Sequence, residues 1–207
     1  MIGIVDYGAG NIFSISNALK KNQIKNKIIY NEKDFKNCRK LIIPGVGAFS
    51  SAIDKLKSKN FFEVIQEHQK KGYQIIGICL GMQILYSEGS ENGIHRKGFN
   101  FIEGNVEKLQ PNLDDEDSFR LPHIGWSKIN ITKKFQPYFK NCNSEKFYFV
   151  HSYGCITKDK KTEVIASCSY GKTKFDCFVK KDNVYGIQFH PERSGLSGLN
   201  LLNNILE

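Results

Sequence analysis

The 207-residue sequence has no apolar run approaching the roughly 20 residues that a membrane-spanning helix needs. It enters a strand at once, Met1-Ile-Gly-Ile-Val-Asp6, with no basic and apolar leader ahead of it, so a cytoplasmic protein with no membrane role is expected. Metal-ligand spacing is also missing. The six cysteines (38, 79, 142, 155, 168, 177) form no Cys-x-x-Cys and have no His at ligand spacing, which argues against zinc. Without a leader they read as reduced thiols. The Gly8-Ala-Gly10 turn lacks the third glycine, and no acidic residue ends a clear second strand, so a dinucleotide cradle is a weak reading. Asp114-Asp-Glu-Asp117 has no His beside it and its carboxylates are consecutive, which suits a solvated loop better than a metal site. The net charge is +9, yet no basic stripe interleaved with aromatics exists. Lysines sit in pairs at element ends (Lys20-Lys21, Lys70-Lys71, Lys133-Lys134, Lys180-Lys181), so they read as solvated surface and no nucleic-acid partner is expected. A basic mouth drawing an anionic substrate to a partner stays open.

What is present is the ordinary substance of a globular protein: 40% hydrophobic and 25% charged residues, enough for one domain over residues 1–207. Ile2–Asp6 reads as a buried strand. Asn11 is placed to cap a helix running to about Lys21. Lys27–Tyr30 and Lys40–Ile43 read as the next strands, followed by helices over Ser50–Leu56 and Phe61–Lys71, the latter behind an Asn60-x-x-Glu63 capping box. Repeated strand–helix alternation predicts a doubly wound, mostly parallel, flavodoxin-like α/β sheet. After residue 88 the pattern changes. Ser87–Gly98 reads as loop, Asn105–Leu109 as an outer strand, and Leu121-Pro-His-Ile-Gly-Trp126 as a compact turn. Phe147–Tyr153, Glu163–Ser169, Lys174–Lys180 and Val184–Phe189 then predict an added antiparallel section, closed by a helix over Leu196–Leu206.

Chemistry concentrates at Gly72–Leu85. A continuous apolar run breaks at Gly77-Ile-Cys79-Leu-Gly81 and resumes with helical spacing through Met82, Leu85 and Tyr86. Glycines two residues either side of Cys79 suit a sharp strand-to-helix turn that holds the thiol out at the sheet end, where a helix N-terminus would favour a thiolate. A single cysteine is more often structural, and a single histidine more often a satisfied core group. However, His190-Pro-Glu192 places a carboxylate two residues from a histidine at another strand end, and Pro44-Gly-Val-Gly47 can aim a backbone N–H into the cleft. His151 also ends a strand. Together these residues point to Cys–His–Glu acyl transfer through a thioester.

Gly77-Ile-Cys79-Leu-Gly-Met-Gln83 with Phe189-His190-Pro-Glu192 resembles a class I (triad) glutamine amidotransferase. More narrowly, Ile4–Asn11, Ile43-Pro-Gly-Val-Gly-Ala-Phe49, Leu121–Trp126 and Tyr148-Phe-Val-His-Ser-Tyr153 resemble the glutaminase subunits of imidazole glycerol phosphate synthases. The resemblance implies that Cys79 attacks the L-glutamine side-chain amide, that His190 is base and then acid, and that Glu192 orients it. Backbone N–H groups of Leu80, Val46 and Gly47 would hold the oxyanion. Gln83, Gly47, Ser152 and Tyr153 would bind glutamine, and Asn11, Val46, Trp126 and Arg193 would face a partner. It further implies a (β/α)8-barrel synthase partner that receives the ammonia and forms imidazole glycerol phosphate and AICAR in histidine biosynthesis, with no cofactor and no metal. Gly98–Gly104 and Arg193–Gly198 depart from the family pattern. A related subunit amidating a surface-polysaccharide sugar therefore stays open, as do a stand-alone cysteine hydrolase and a non-catalytic binding subunit.

Overall fold

A computed structural model describes residues 1–91, 93–110 and 120–207, so the acidic run at 114–117 lies outside the described residues. The first half runs β1 (Ile2–Val5), α1 (Ile12–Lys21), β2 (Asn26–Ile29), β3 (Lys40–Ile43), α2 (Phe49–Ser58), α3 (Phe61–Lys70), β4 (Gln74–Ile78) and α4 (Leu80–Gln83). Then follow β5 (Tyr86–Glu91), β6 (Ile94–Lys97), β7 (Ile102–Lys108), β8 (His123–Lys128), β9 (Asn130–Ile131), β10 (Lys146–His151) and β11 (Tyr153–Thr157). The chain ends with β12 (Glu163–Tyr170), β13 (Thr173–Lys181), β14 (Val184–Ile187) and α5 (Gly195–Leu206).

The central sheet is mixed. Strands β2-β1-β3-β4-β14 are mutually parallel, and β14 then pairs with antiparallel β13, beyond which β12, β11, β7, β5 and β6 extend the sheet. Alternation sorts the parallel strands between two apolar layers. Ile4, Ile42, Ile76 and Ile78 meet α1 and α5 on one side, while Val5, Leu41, Ile43 and Ile75 meet α2 and α3 on the other. At about 1.5–3 kcal/mol per buried aliphatic side chain, these two layers are the main stabilising term. α1 buries Ile12, Ile15, Ala18 and Leu19, and the Asn11 side chain caps it by accepting from the Ser14 N–H at 3.2 Å.

Four expectations need correction. The helix after Cys79 is a single turn, and Tyr86 begins β5 rather than continuing it. Returning chain decides this: Phe99 N–H donates to Ile84, Asn100 N–H to Tyr86 and Gly98 N–H to Ser87, consuming the carbonyls a longer helix would use. The 87–98 stretch is then no loop but a β5–β6 hairpin. Its polar, exposed β6 carries no apolar alternation to reveal it. The 121–126 stretch is likewise no compact turn. From His123 on it is strand β8, paired antiparallel with β10 in a separate two-stranded sheet. Its outward Ile124 and Trp126 are apolar, which hides the alternation. Finally, Asn60 makes no capping bond. It sits in the left-handed region at φ 58°, a conformation asparagine tolerates, where the chain turns tightly from α2 into α3.

Candidate active site

The register of β14 against β4 builds the site. Gly186 lies beside Gly77 and Ile187 beside Ile78, and the Cys79 N–H donates to the Ile187 carbonyl at 2.7 Å. Two strands 109 residues apart in sequence therefore end side by side, one at Cys79 and the other running on to Gln188 and His190.

Cys79 adopts φ 55° and ψ −114°, a strained conformation for a residue with a side chain. The flanking glycines make it feasible. A Cβ at Gly77 would stand 2.4 Å from the Gly81 carbonyl oxygen, and one at Gly81 would stand 1.8 Å from the Ile43 oxygen. No side chain fits either position, so the chain reverses tightly and lifts the thiol above the sheet. Because α4 has only four residues, it carries little macrodipole, and the expected helix field at the sulfur is largely absent. Two polar groups stand close to the sulfur. The thiol faces the Val150 carbonyl at 3.9 Å, and Gln188 Nε2 approaches Sγ at 3.7 Å.

His190 Nδ1 and Glu192 Oε1 are 2.8 Å apart, with the Glu192 side chain only 1% exposed. Pro191–Arg193 forms a 3-10 turn that folds the carboxylate back onto the ring. Ser194 Oγ donates to the His190 carbonyl at 2.7 Å and accepts from the Tyr148 N–H at 3.0 Å, tying this turn to β10. Burial alone would lower the His190 pKa. Its interactions with Cys79 and Glu192 overcome that penalty and raise it to about 10. The other nitrogen, Nε2, is buried and has no hydrogen-bond partner. A ring fixed through Nδ1, with Nε2 beside the Cys79 thiol, is placed to take the thiol proton and hold it as an imidazolium steadied by Glu192.

A cavity of about 400 Å³ opens over Cys79 and is lined by Val46, Gly47, Leu80, Gln83, Ser152 and Tyr153 among others. These expected oxyanion and substrate-binding residues are thus brought together at one place. The Leu80 N–H opens the one-turn helix, where first-turn amides lack intrahelical acceptors. Gly47 has φ +106°, and Tyr7 donates its hydroxyl to the Pro44 carbonyl at 2.7 Å to hold the 44–47 turn. His190 and Glu192 stand behind the sulfur rather than in the cavity wall.

Three groups escaped the sequence reading as parts of the site. Among the described residues, Glu91 is the one carboxylate in the cavity wall, and it accepts from the Phe49 N–H at 2.9 Å. It lies in the hairpin that carries no pattern, so no sequence signal marked it. Gln188 faces Cys79, and its spacing of two from His190 on an extended segment was the available signal. The third is His151, which lines the cavity and pairs with His123 at 3.1 Å. The Tyr153 carbonyl accepts from His151 Nδ1 at 2.8 Å, which fixes that nitrogen as the protonated one. His123 Nδ1 then donates to His151 Nε2, and Ser127 Oγ donates to His123 Nε2 at 2.7 Å. Burial lowers His123 to about 4 and His151 to about 3, so both stay neutral at ordinary pH.

The sequence pattern of the family described as glutamine amidotransferase class-I matches residues 3–207. The chain belongs to that family. Within it, this amidotransferase is 41% identical to the imidazole glycerol phosphate synthase subunit HisH of Leptospira borgpetersenii, with 99% of this chain and 98% of that protein covered. It is 41% identical to the subunit HisH 1 of Campylobacter jejuni strain RM1221 (100% and 99% covered), and 37% identical to HisH of Geobacillus sp. strain WCH70 (99% and 95%). Among solved structures, a glutamine amidotransferase superposes with a TM-score of 0.72 at 18% identity, covering 99% of this chain and 96% of that one. PurLQS from Thermotoga maritima gives 0.71 at 19% identity with the same coverage. At such identities the structures speak to the fold alone, which they share.

The expected partner-facing residues are exposed. Val46 is 49% and Trp126 53% exposed. Arg193 stacks its guanidinium over the Tyr148 ring at 4.6 Å, and Trp126 packs edge-on against the same ring. Asn11 has a structural duty as the cap of α1 besides its exposed position. Among the described residues, no helix is long and apolar enough to cross a membrane.

Proposed function

We propose that this chain is the glutaminase subunit of an imidazole glycerol phosphate synthase, working in the cytoplasm. It hydrolyses L-glutamine to glutamate and ammonia and passes the ammonia to a (β/α)8-barrel partner that forms imidazole glycerol phosphate and AICAR in histidine biosynthesis. The observation that carries the chemistry is the buried His190–Glu192 pair at 2.8 Å with an unused Nε2 behind a strained, cavity-facing Cys79. The full-length similarity to HisH subunits supports the pathway.

Glutamine enters the cavity with its α-ammonium toward the Glu91 carboxylate and its side chain along Gln83 and the Ser152–Tyr153 backbone. His190 Nε2 holds the proton taken from the thiol as the sulfur attacks the side-chain amide carbon. The oxygen, now anionic, is met by the N–H groups of Leu80 and of the Val46–Gly47 turn. The imidazolium, held by Glu192, then gives its proton to the departing nitrogen, the C–N bond breaks and ammonia leaves. Water, deprotonated by His190, hydrolyses the thioester to glutamate and restores the thiol. The exposed apolar rim, with Val46, Ile124 and Trp126, supplies a surface for the partner beside the ammonia exit.

The test is Cys79→Ala in the complex with a barrel subunit. Glutamate release should vanish while assembly of the complex persists, because the residue lies beneath the rim. Full glutaminase activity in that variant would sink the reading. Absence of glutamine-dependent imidazole glycerol phosphate formation by an active wild-type complex would redirect the ammonia to another acceptor.

A further inference from the structure

We propose that Gln188 is a third side chain acting on Cys79, donating an amide N–H to the sulfur and supporting the thiolate during attack. This rests on the glutaminase reading and adds a residue to it. Gln188 is fully buried, and its Nε2 lies 3.7 Å from Sγ, within N–H···S range.

A train of hydrogen bonds decides which end of the amide faces the sulfur. The Tyr153 carbonyl can only accept, so Gln83 must present Nε2 to it, at 2.9 Å. The same Gln83 Nε2 donates to Gln188 Oε1 at 3.1 Å. With its oxygen committed there, Gln188 turns its NH₂ toward Cys79. The Tyr153 carbonyl that anchors the series is itself held by His151. Reversing the Gln188 amide would set two donors against each other at Gln83, so the donor at the sulfur is enforced rather than adventitious.

The sulfur needs such a donor. The one-turn α4 supplies little field, and the Val150 carbonyl can hold a thiol proton but offers nothing to an anion. A hydrogen bond to a charged acceptor is worth more than a neutral one, and more again away from water. Backbone geometry lets a single segment serve twice. Residues two apart on extended chain share a side, so Gln188 and His190 both reach Cys79, while Phe189 between them packs into the core.

Alkylation by iodoacetamide reads the sulfur directly, since it forms the S–C bond with loss of iodide and uses neither glutamine nor a partner. Site-resolved mass spectrometry on the full chain, with and without the partner, would follow Cys79, with half-buried Cys142 as an internal reference for the fold. In Gln188→Met, close to glutamine in length, Cys79 alkylation at pH 7.5 should slow about tenfold to a hundredfold, the fold-change of one hydrogen bond to a charged acceptor. Cys142 should react as in wild type. Gln188→Asn keeps the amide but is one carbon too short, and should slow Cys79 likewise. In the assembled enzyme, kcat should fall by a similar factor and KM for glutamine by much less. A wild-type alkylation rate at Cys79 in either folded variant overturns the proposal, as does equal slowing at Cys142. Failure of the glutaminase reading would show separately, as no ammonia release from the wild-type complex.

Discussion

Two buried histidine sites lie within electrostatic reach of each other, and burial opposes the charged form in both. Yet His190 is raised to about 10, whereas His123 and His151 fall to about 4 and 3. The difference is in the partners. His190 meets a carboxylate and a thiol, both able to carry negative charge. His123 and His151 meet each other, a serine hydroxyl, a backbone carbonyl and the rings of Phe149, Tyr170 and Phe175. One buried anion, more than depth or residue type, decides whether a buried imidazole carries a proton at neutral pH or stays a neutral strut. The neutral pair, locked in one tautomeric order, braces the Tyr153 carbonyl that Gln83 also uses.

Removing the anion should erase the contrast. Glu192→Gln keeps the shape but leaves His190 without its charge partner, and glutamate release by the complex should drop about 10²- to 10⁴-fold, measured as kcat. The reciprocal change supplies an anion to the neutral pair. Ser127→Asp puts a carboxylate beside His123 Nε2, and the His123 titration, followed by NMR, should move up by more than about one pH unit. A titration left where it was would show that burial rather than partner chemistry sets the contrast.

Stability against pH offers a third route. The unfolded chain takes up protons on histidine near 6.5, while folded His123 and His151 refuse them down to about 4 and 3. The unfolded state then binds more protons, so stability should fall as pH drops from about 6.5 toward 4, by up to ~1.4 kcal/mol per pH unit for each proton. His190 has the opposite sign. Its stabilisation is complete below about 6.5 and is lost as pH rises through about 10. Urea midpoints across pH should show both limbs, with His123→Gln flattening the acid one and Glu192→Gln the alkaline one. The smallest effect lies on the outer face of β8, the strand whose inner face carries His123. Trp126→Ala should change the stability of the isolated chain by less than about 0.5 kcal/mol, while weakening partner binding at least about tenfold by titration.

The parallel half was readable from residues because its strands are buried on both faces and its glycines mark turns. Ile2–Val5, Lys40–Ile43 and the Cys79 turn announce themselves by composition alone. The hairpin at 86–97 and strand β8 did not, since their patterns are set by backbone pairing and by outward apolar side chains. Glu91 belongs to that hairpin, so one wall of the site was invisible for the same reason.

By itself, then, the sequence determined the chemistry. Gly77 and Gly81 permit the tight turn at Cys79 where no larger residue would fit, and His190-Pro-Glu192 pairs imidazole and carboxylate across a two-residue spacing. Tertiary structure decided the assembly. Only the β4–β14 register brings Cys79 to Gln188 and His190, and only burial beside or away from a carboxylate gives identical imidazoles opposite proton affinities. Proximity and dielectric are properties of packed chain, and neither is written in any single stretch of it.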